Sequence, residues 1–133
     1  MKALSLTQPY AELIKNGTKT VETRSWKTNY RGILYIHASA AEIPKESRGN
    51  PGLMGLVHTQ DLDYGKIICS CTLADCIPMT EAYVEDMRRN HPKEYLSGIY
   101  APGRYAWILE EIKVLKEPIK IKGRLGLWSF EVP

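Results

Sequence analysis

Residues 17–26, Gly-Thr-Lys-Thr-Val-Glu-Thr-Arg-Ser-Trp, limit the fold of this chain more than any other stretch. Gly17 closes an apolar helical pattern, at a position where a left-handed glycine commonly ends a helix. From residue 20 the period changes to two. Val21 and Thr23 point one way, and Thr20, Glu22, Arg24 and Trp26 the other. A half-buried strand ordinarily sends its charges into water and its apolar residues into the core, yet here the charged face also carries the large aromatic residue. Two readings fit. One is a solvent-facing ladder with Glu22 and Arg24 as i, i+2 neighbours and Trp26 capping the strand. The other is a cleft floor, where Lys19, Glu22 and Arg24 meet a polar ligand and Trp26 gives it a flat apolar surface. The strand alone favours the ladder, because charge runs are usually solvated faces.

The rest of the chain reads as strands with two short helices. Residues 2–6 form a strand, Thr7 is a candidate N-cap, and Pro9 opens a helix over 9–16 with Tyr10, Leu13 and Ile14 on one face. Residues 33–38 are apolar on both faces, as a central strand is. A helical turn is expected over 39–43. Residues 44–64 show no periodicity, with Gly49, Pro51, Gly52 and Gly55 among polar residues. That span reads as a long loop with a turn near 53–56, serving either as a functional flap or as a tolerated insertion. Strands follow at 67–73 and 105–109, separated by a helix over 81–90 capped by Thr80 and ended by His91-Pro92, then a loop over 97–103. Residues 112–114 and 119–121 alternate apolar residues with lysine around Glu117-Pro118 and suggest an edge hairpin. A last strand covers 125–132. Six or more strands with short helical insertions argue for a small barrel or strongly curved sheet.

Length and composition narrow the function classes. At 133 residues, 44% hydrophobic and 25% charged, the chain has room for one closed core and reads as a single domain, 1–133, not as a disordered segment. A net charge of +3 permits phosphate contacts without demanding them. No apolar run approaches the ~18 residues that a membrane helix needs. Three cysteines, an odd number, and no secretory pattern at the first residues point to a reducing cytoplasm and free thiols.

Chemical motifs are sparse. Cys69, Cys71 and Cys76 lack the second close pair that a structural zinc site uses, so they read as buried apolar residues, with neither zinc nor disulfide. No resident metal or cofactor is expected. His37 lies in an apolar strand on the face of Ile33 and Tyr35, where a satisfied core histidine is the ordinary case. Arg88, Arg89 and lysines 113, 116, 120 and 122 could contact phosphates, although edge-strand lysines also serve to block edge-to-edge pairing.

Taken together, several runs resemble one family. These are Leu4-Ser5-Leu6-Thr7-Gln8-Pro9-Tyr10, then Gly17-x-Lys19-x-x-Glu22-x-Arg24-Ser25-Trp26, then Tyr30-Arg31-Gly32 and Ile36-His37-Ala38, with Gly103-Arg104-Tyr105-Ala106-Trp107 and Gly123-Arg124-x-Gly126-Leu127-Trp128 near the end. They are similar to the ASCH domain, named for homology to the activating signal cointegrator. The resemblance implies a PUA-like β-barrel, mixed with short helices (α+β), and a cleft beside the first helix. It also implies binding of RNA, another single-stranded nucleic acid or a nucleotide-like small molecule; the lack of a long apolar run adds the expectation of no membrane partner. The implied ligand-binding candidates are Gln8, Pro9, Tyr10, Lys19, Glu22, Arg24, Trp26, Arg31, His37 and Arg104. A bulge or turn at Lys19 is needed to bring it beside Glu22 and Arg24. Some related small proteins are amidohydrolases acting on N4-acetylcytidine, and others are described as ribonucleases. Lys19 and Glu22 would be the catalytic pair of such an enzyme. The amidohydrolase pattern has a nucleophilic Thr where this chain has Glu22, which argues against that chemistry.

Overall fold

The computed structural model describes residues 1–132. In chain order the elements are β1 (Lys2–Leu6), α1 (Tyr10–Lys15), β2 (Val21–Arg24), β3 (Gly32–Ala38), α2 (Lys45–Arg48), α3 (Pro51–Met54), a 3₁₀ turn (Thr59–Asp61), β4 (Lys66–Pro78), α4 (Glu81–Asn90), α5 (Pro92–Leu96), β5 (Tyr105–Lys120) and β6 (Leu127–Ser129). The strands make one sheet in the order β2-β5-β4-β3-β1-β6. Only the β1–β3 pair is parallel, with Ser5 opposite His37. Register shifts interrupt β4 and β5, between Ile67 and Cys69, Ser70 and Thr72, and Leu73 and Asp75. Such bulges bend and twist a long ribbon, and here they curl the sheet into a half-barrel.

The main core joins the sheet to α1. Leu4, Leu6, Leu34, Ile36, Cys69, Cys71, Leu73 and the fully buried Trp107 pack there with Ala11 and Ile14 of α1. A second cluster joins Val21 and Ala106 to Met79, Met87 and Tyr100 beneath α4. A third, of Ala3, Ile67, Trp128 and Phe130, lies under the C-terminal segment.

Several local expectations are corrected. Thr7 does not cap α1; the Gln8 Oε1 accepts from the Glu12 N–H instead, and the helix starts at Tyr10. Residues 39–43 form no helical turn. The presumed loop at 44–64 contains α2, α3 and the 3₁₀ turn. Asn50 caps α3 by accepting from the Leu53 N–H, with Pro51 in the first turn. His91-Pro92 does end α4, but Pro92 then opens α5. The hairpin expected around Glu117-Pro118 is one continuous strand: β5 pairs with β4 as far as Lys120, while β2 reaches no further along β5 than Ile108. Pro118 therefore lies where β5 has a free edge, the setting in which a strand tolerates a missing N–H. The final strand is only Leu127–Ser129.

Candidate functional site

The turn between α1 and β2 sets the site. Gly17 takes a φ of 84°, a left-handed conformation that suits glycine, and its N–H bonds back to Ile14. The Lys19 N–H then bonds to the Leu13 carbonyl. That second bond turns the Lys19 side chain inward before the strand begins, so a turn, not a bulge, does what period-two alternation could not.

Lys19 is 1% exposed. Its ammonium donates to the carbonyls of Val21 and Ser97, both at 2.7 Å, and faces Glu22 Oε1 at 3.4 Å. Of the three ammonium protons, two go to those carbonyls and the charge is met by the Glu22 carboxylate. The ring of Tyr10 lies 5.9 Å from the charge. Burial pushes the Lys19 pKa below the ordinary lysine range, opposed by the negative charges of Glu22 and Glu94. Glu22, 5% exposed, accepts from Arg24 Nε at 2.9 Å through its other oxygen. The Arg24 side chain is one quarter exposed, and its Nη2 reaches the Ser5 carbonyl at 3.4 Å. Three charges thus run from the interior to the surface, positive, negative, positive.

Above them opens a cleft of about 780 Å³. One wall is α1 with the α2–α3 segment, joined by a 2.7 Å hydrogen bond between the hydroxyls of Tyr10 and Ser47. The other wall is α5 and the loop after it, which are tied to Thr20, to Thr23 of β2 and to Arg104. Thr20 donates its N–H and hydroxyl to Glu94, the Ile99 N–H donates to the Thr23 hydroxyl, and Arg104 Nε donates to the Ile99 carbonyl. Gly98 fits against Thr23 so closely that a Cβ would lie 2.9 Å from its methyl carbon. Trp26, 38% exposed, stands edge-on to Trp107 with ring centres 4.8 Å apart and lines the cleft.

Of the residues singled out from the sequence, Tyr10, Lys19, Glu22, Arg24, Trp26 and Arg104 meet in this cleft. Gln8 does not. It is fully buried, caps α1 and donates its amide N–H to the Asp63 carbonyl. Pro9, at the N-cap position of α1, lies outside the lining as well. Arg31 is spent elsewhere, on the carbonyls of Thr28 and Tyr30 and an ion pair with Asp75. His37 packs beside Ser5 and Trp128, away from the cleft. Sequence reasoning missed Ser47, Asn50, Leu53, Ser97 and Ile99. The Asn50-Pro51 pair was the available signal for α3, since it joins a good N-cap residue to a first-turn proline.

Cys69, Cys71 and Cys76 are free and buried, and burial pushes the Cys69 and Cys71 thiols up to about 12. Among the described residues no group of three or more His, Cys, Asp or Glu is placed to hold a metal ion, and no helix is long and apolar enough to cross a membrane.

Comparison with known proteins is consistent with this geometry. A sequence model of the family described as the ASCH domain matches residues 4–122. Activating signal cointegrator 1 from Homo sapiens is 26% identical over 129 residues, and its counterpart from Mus musculus 33% over 131. Each alignment covers 96% of this chain but only 22% of the relative, so the chain spans about a fifth of their length. The crystal structure of ASCH from Zymomonas mobilis superimposes with a TM-score of 0.55 at 16% identity, covering 90% of this chain and 72% of that one. A mutant of the same protein gives 0.53 at 17%, covering 90% and 74%. The half-barrel is thus the PUA-like α+β fold of those structures.

Proposed function

This chain belongs to the ASCH-domain family, and on that footing we propose that it binds nucleic acid, single-stranded RNA above all, or a nucleotide-like ligand, in the cleft over Lys19, Glu22 and Arg24. The family's association with RNA binding supports the reading, as does taking residues 1–133 as one such domain. The observation that carries it is where the charged chain ends. Lys19 is buried and committed to two carbonyls and the Glu22 carboxylate, so it acts through Glu22 as a positioning residue. Arg24 uses two of its five N–H groups internally and opens onto the cleft with Arg104 and Trp26. Two guanidiniums suit phosphate oxygens, and an indole face suits a base.

The rival reading makes Glu22 a general base in a hydrolase. Each Glu22 oxygen already faces a cation, and the carboxylate is nearly excluded from solvent. Accepting a substrate proton would neutralise the carboxylate that compensates both Lys19 and Arg24. The arrangement therefore supports binding over turnover.

The test is titration of labelled single-stranded RNA across a salt series. Each neutralised phosphate should contribute a slope of roughly −0.7 for single strands. Arg24→Ala should weaken binding by about tenfold or more, since hydrogen bonds to charged groups contribute roughly 1.5–3 kcal/mol. A flat salt dependence, or no binding at low salt, would sink the reading. Incubation with N4-acetylcytidine and with the same RNA should release neither acetate nor fragments. Turnover by wild type that Glu22→Gln abolishes while binding persists would put the hydrolase first.

A further inference from the structure

A second concavity of about 450 Å³ lies between the segment after β5 and the stretch from Trp128 of β6 to Glu131. Lys122 and Arg124 line it, with Ser129 and, as the one acid among its described lining residues, Glu131. Lys122 and Arg124 are both exposed, and neither is committed to an internal partner among the described residues. Lys2 adds a third cation, its Nζ donating to the Ser129 hydroxyl at 3.1 Å. Three cations against one acid leave this small surface net positive, as a phosphate-binding patch is.

The patch is built, because its backbone is pinned from below. A Cβ on Gly123 would lie 2.5 Å from Ser5 Oγ and 2.6 Å from His37 Cε1, so only glycine lets the chain come this close. His37 Nε2 bonds to the Ile121 carbonyl at 2.8 Å, and Trp128 Nε1 donates to Ser5 Oγ at 3.1 Å. The segment bearing Lys122 and Arg124 is thereby held at Ile121 and Gly123, and the facing side of the concavity at Trp128.

Ser5 also joins the patch to the cleft. β6 pairs with β1 only as far as Leu4, which leaves the Ser5 carbonyl uncovered by β6, and Arg24 takes it. One residue therefore touches the mouth of the cleft through its carbonyl and the floor of the basic patch through its hydroxyl. We propose that Lys122 and Arg124 form a second phosphate subsite, which holds the backbone of a nucleic-acid strand as it leaves the cleft past Arg24 and crosses the open end of β1. The proposal rests on the cleft being the primary site.

Length separates the two sites. The probes are a 5′-phosphorylated dinucleotide and a single-stranded RNA of about ten nucleotides, within the ~4–16-nucleotide range of single-strand sites. Each is titrated over a salt series against wild type, Lys122→Ala/Arg124→Ala and Arg24→Ala. Both substituted residues of the double variant are exposed, and an unchanged melting temperature confirms that it folds. The double variant should bind the dinucleotide as wild type does. It should bind the longer RNA more weakly, with a salt slope shallower by about 1.4, two contacts at about 0.7 each. If the double variant binds both probes like wild type while Arg24→Ala binds neither, the second subsite is wrong and the cleft stands. If the double variant loses the long RNA while Arg24→Ala binds both probes normally, the cleft reading fails, and with it the path proposed here. Wild type that binds neither RNA but binds vesicles of anionic phospholipid would overturn both, assigning the patch to a membrane surface.

Discussion

Two buried polar networks meet at β1, and they differ in how they end. On one side Trp128 Nε1–H donates to Ser5 Oγ, the Ser5 hydroxyl donates to His37 Nδ1 at 3.0 Å, and His37 Nε2–H donates to the Ile121 carbonyl. A carbonyl can only accept, which fixes the tautomer of the neutral ring. Burial pushes the His37 pKa down and keeps it neutral. Every donor in that chain has an acceptor within the protein. On the other side Lys19, Glu22 and Arg24 carry full charges, and the last of them reaches solvent with donors to spare. Burying a polar group is thus no mark of a binding site in itself. A network that closes on itself holds the fold, and one that ends in exposed, unspent donors has something left for a ligand.

The charged network should still be the more costly one to break. Lys19→Met keeps the length and removes the charge, leaving Glu22 Oε1 buried without its cation and the Val21 and Ser97 carbonyls without a donor. Removing one partner of a buried pair typically costs about 3–5 kcal/mol, and urea unfolding should register a loss of that order. A loss below about 1 kcal/mol would mean that the burial of Lys19 is incidental and that the contrast drawn here is false. Arg24→Ala sharpens the same point from the other end: it should lower affinity for RNA more than it lowers stability.

The neutral network should fail by crowding. Gly123→Ala pushes a methyl group against Ser5 Oγ and the His37 ring. Neither can swing aside without breaking a hydrogen bond, so the cost should be that of an overpacked core, about 1–3 kcal/mol. A variant as stable as wild type by thermal melting would show that the Ser5–His37 network is slack, and with it the pinning of Lys122 and Arg124.

Which parts of this were legible in the sequence follows from how local their causes are. The strand through Val21, Glu22, Thr23 and Arg24 was legible because alternation is a local property, and so was α4 with its Thr80 cap. The pairing of Lys19 with Glu22 was anticipated only as a required irregularity, because the Lys19 N–H to Leu13 carbonyl bond that creates it depends on how α1 ends. Gln8 and Arg31 were misplaced for a shared reason. Both are polar residues beside the key motif, and residue type alone cannot say whether a side chain is consumed by nearby backbone groups. The sequence divides β5 into three, at 105–109, 112–114 and 119–121: the charged pair Glu110-Glu111 interrupts the apolar pattern, proline ordinarily ends a strand, and sequence does not reveal that β2 leaves the edge at Pro118 unpaired. Of the wall formed by α2 and α3, only a turn near 53–56 was legible, displaced by about two residues from α3; each helix is a single turn of four residues, too short to show a face.

The smallest effect expected is also the one that tests the closed network most directly. Burial holds the His37 pKa below its ordinary 6.5. As pH falls through 6.5, the unfolded chain takes up a proton on this residue that the native chain refuses. The unfolded state then binds more protons, so stability declines as pH falls, beginning near 6.5 and ending at the native pKa. Glu12 works in the opposite sense, because burial raises its carboxyl above the usual range and the native state accepts that proton first. A difference between two proteins sharing Glu12 removes its contribution. Wild type and His37→Gln should therefore be compared by thermal melting at about pH 7.5 and about pH 5.5, a span that crosses the unperturbed histidine pKa. The variant should be the less stable of the two at the higher pH, having lost the fit to Ser5 and Ile121, and the gap should narrow at the lower pH, because only wild type carries the penalty for a histidine kept neutral. A gap of equal size at both pH values would show that His37 protonates in place, with Ser5 Oγ accepting from both neighbours. The network beneath Gly123 would then not be the closed neutral chain that sets it apart from Lys19, Glu22 and Arg24.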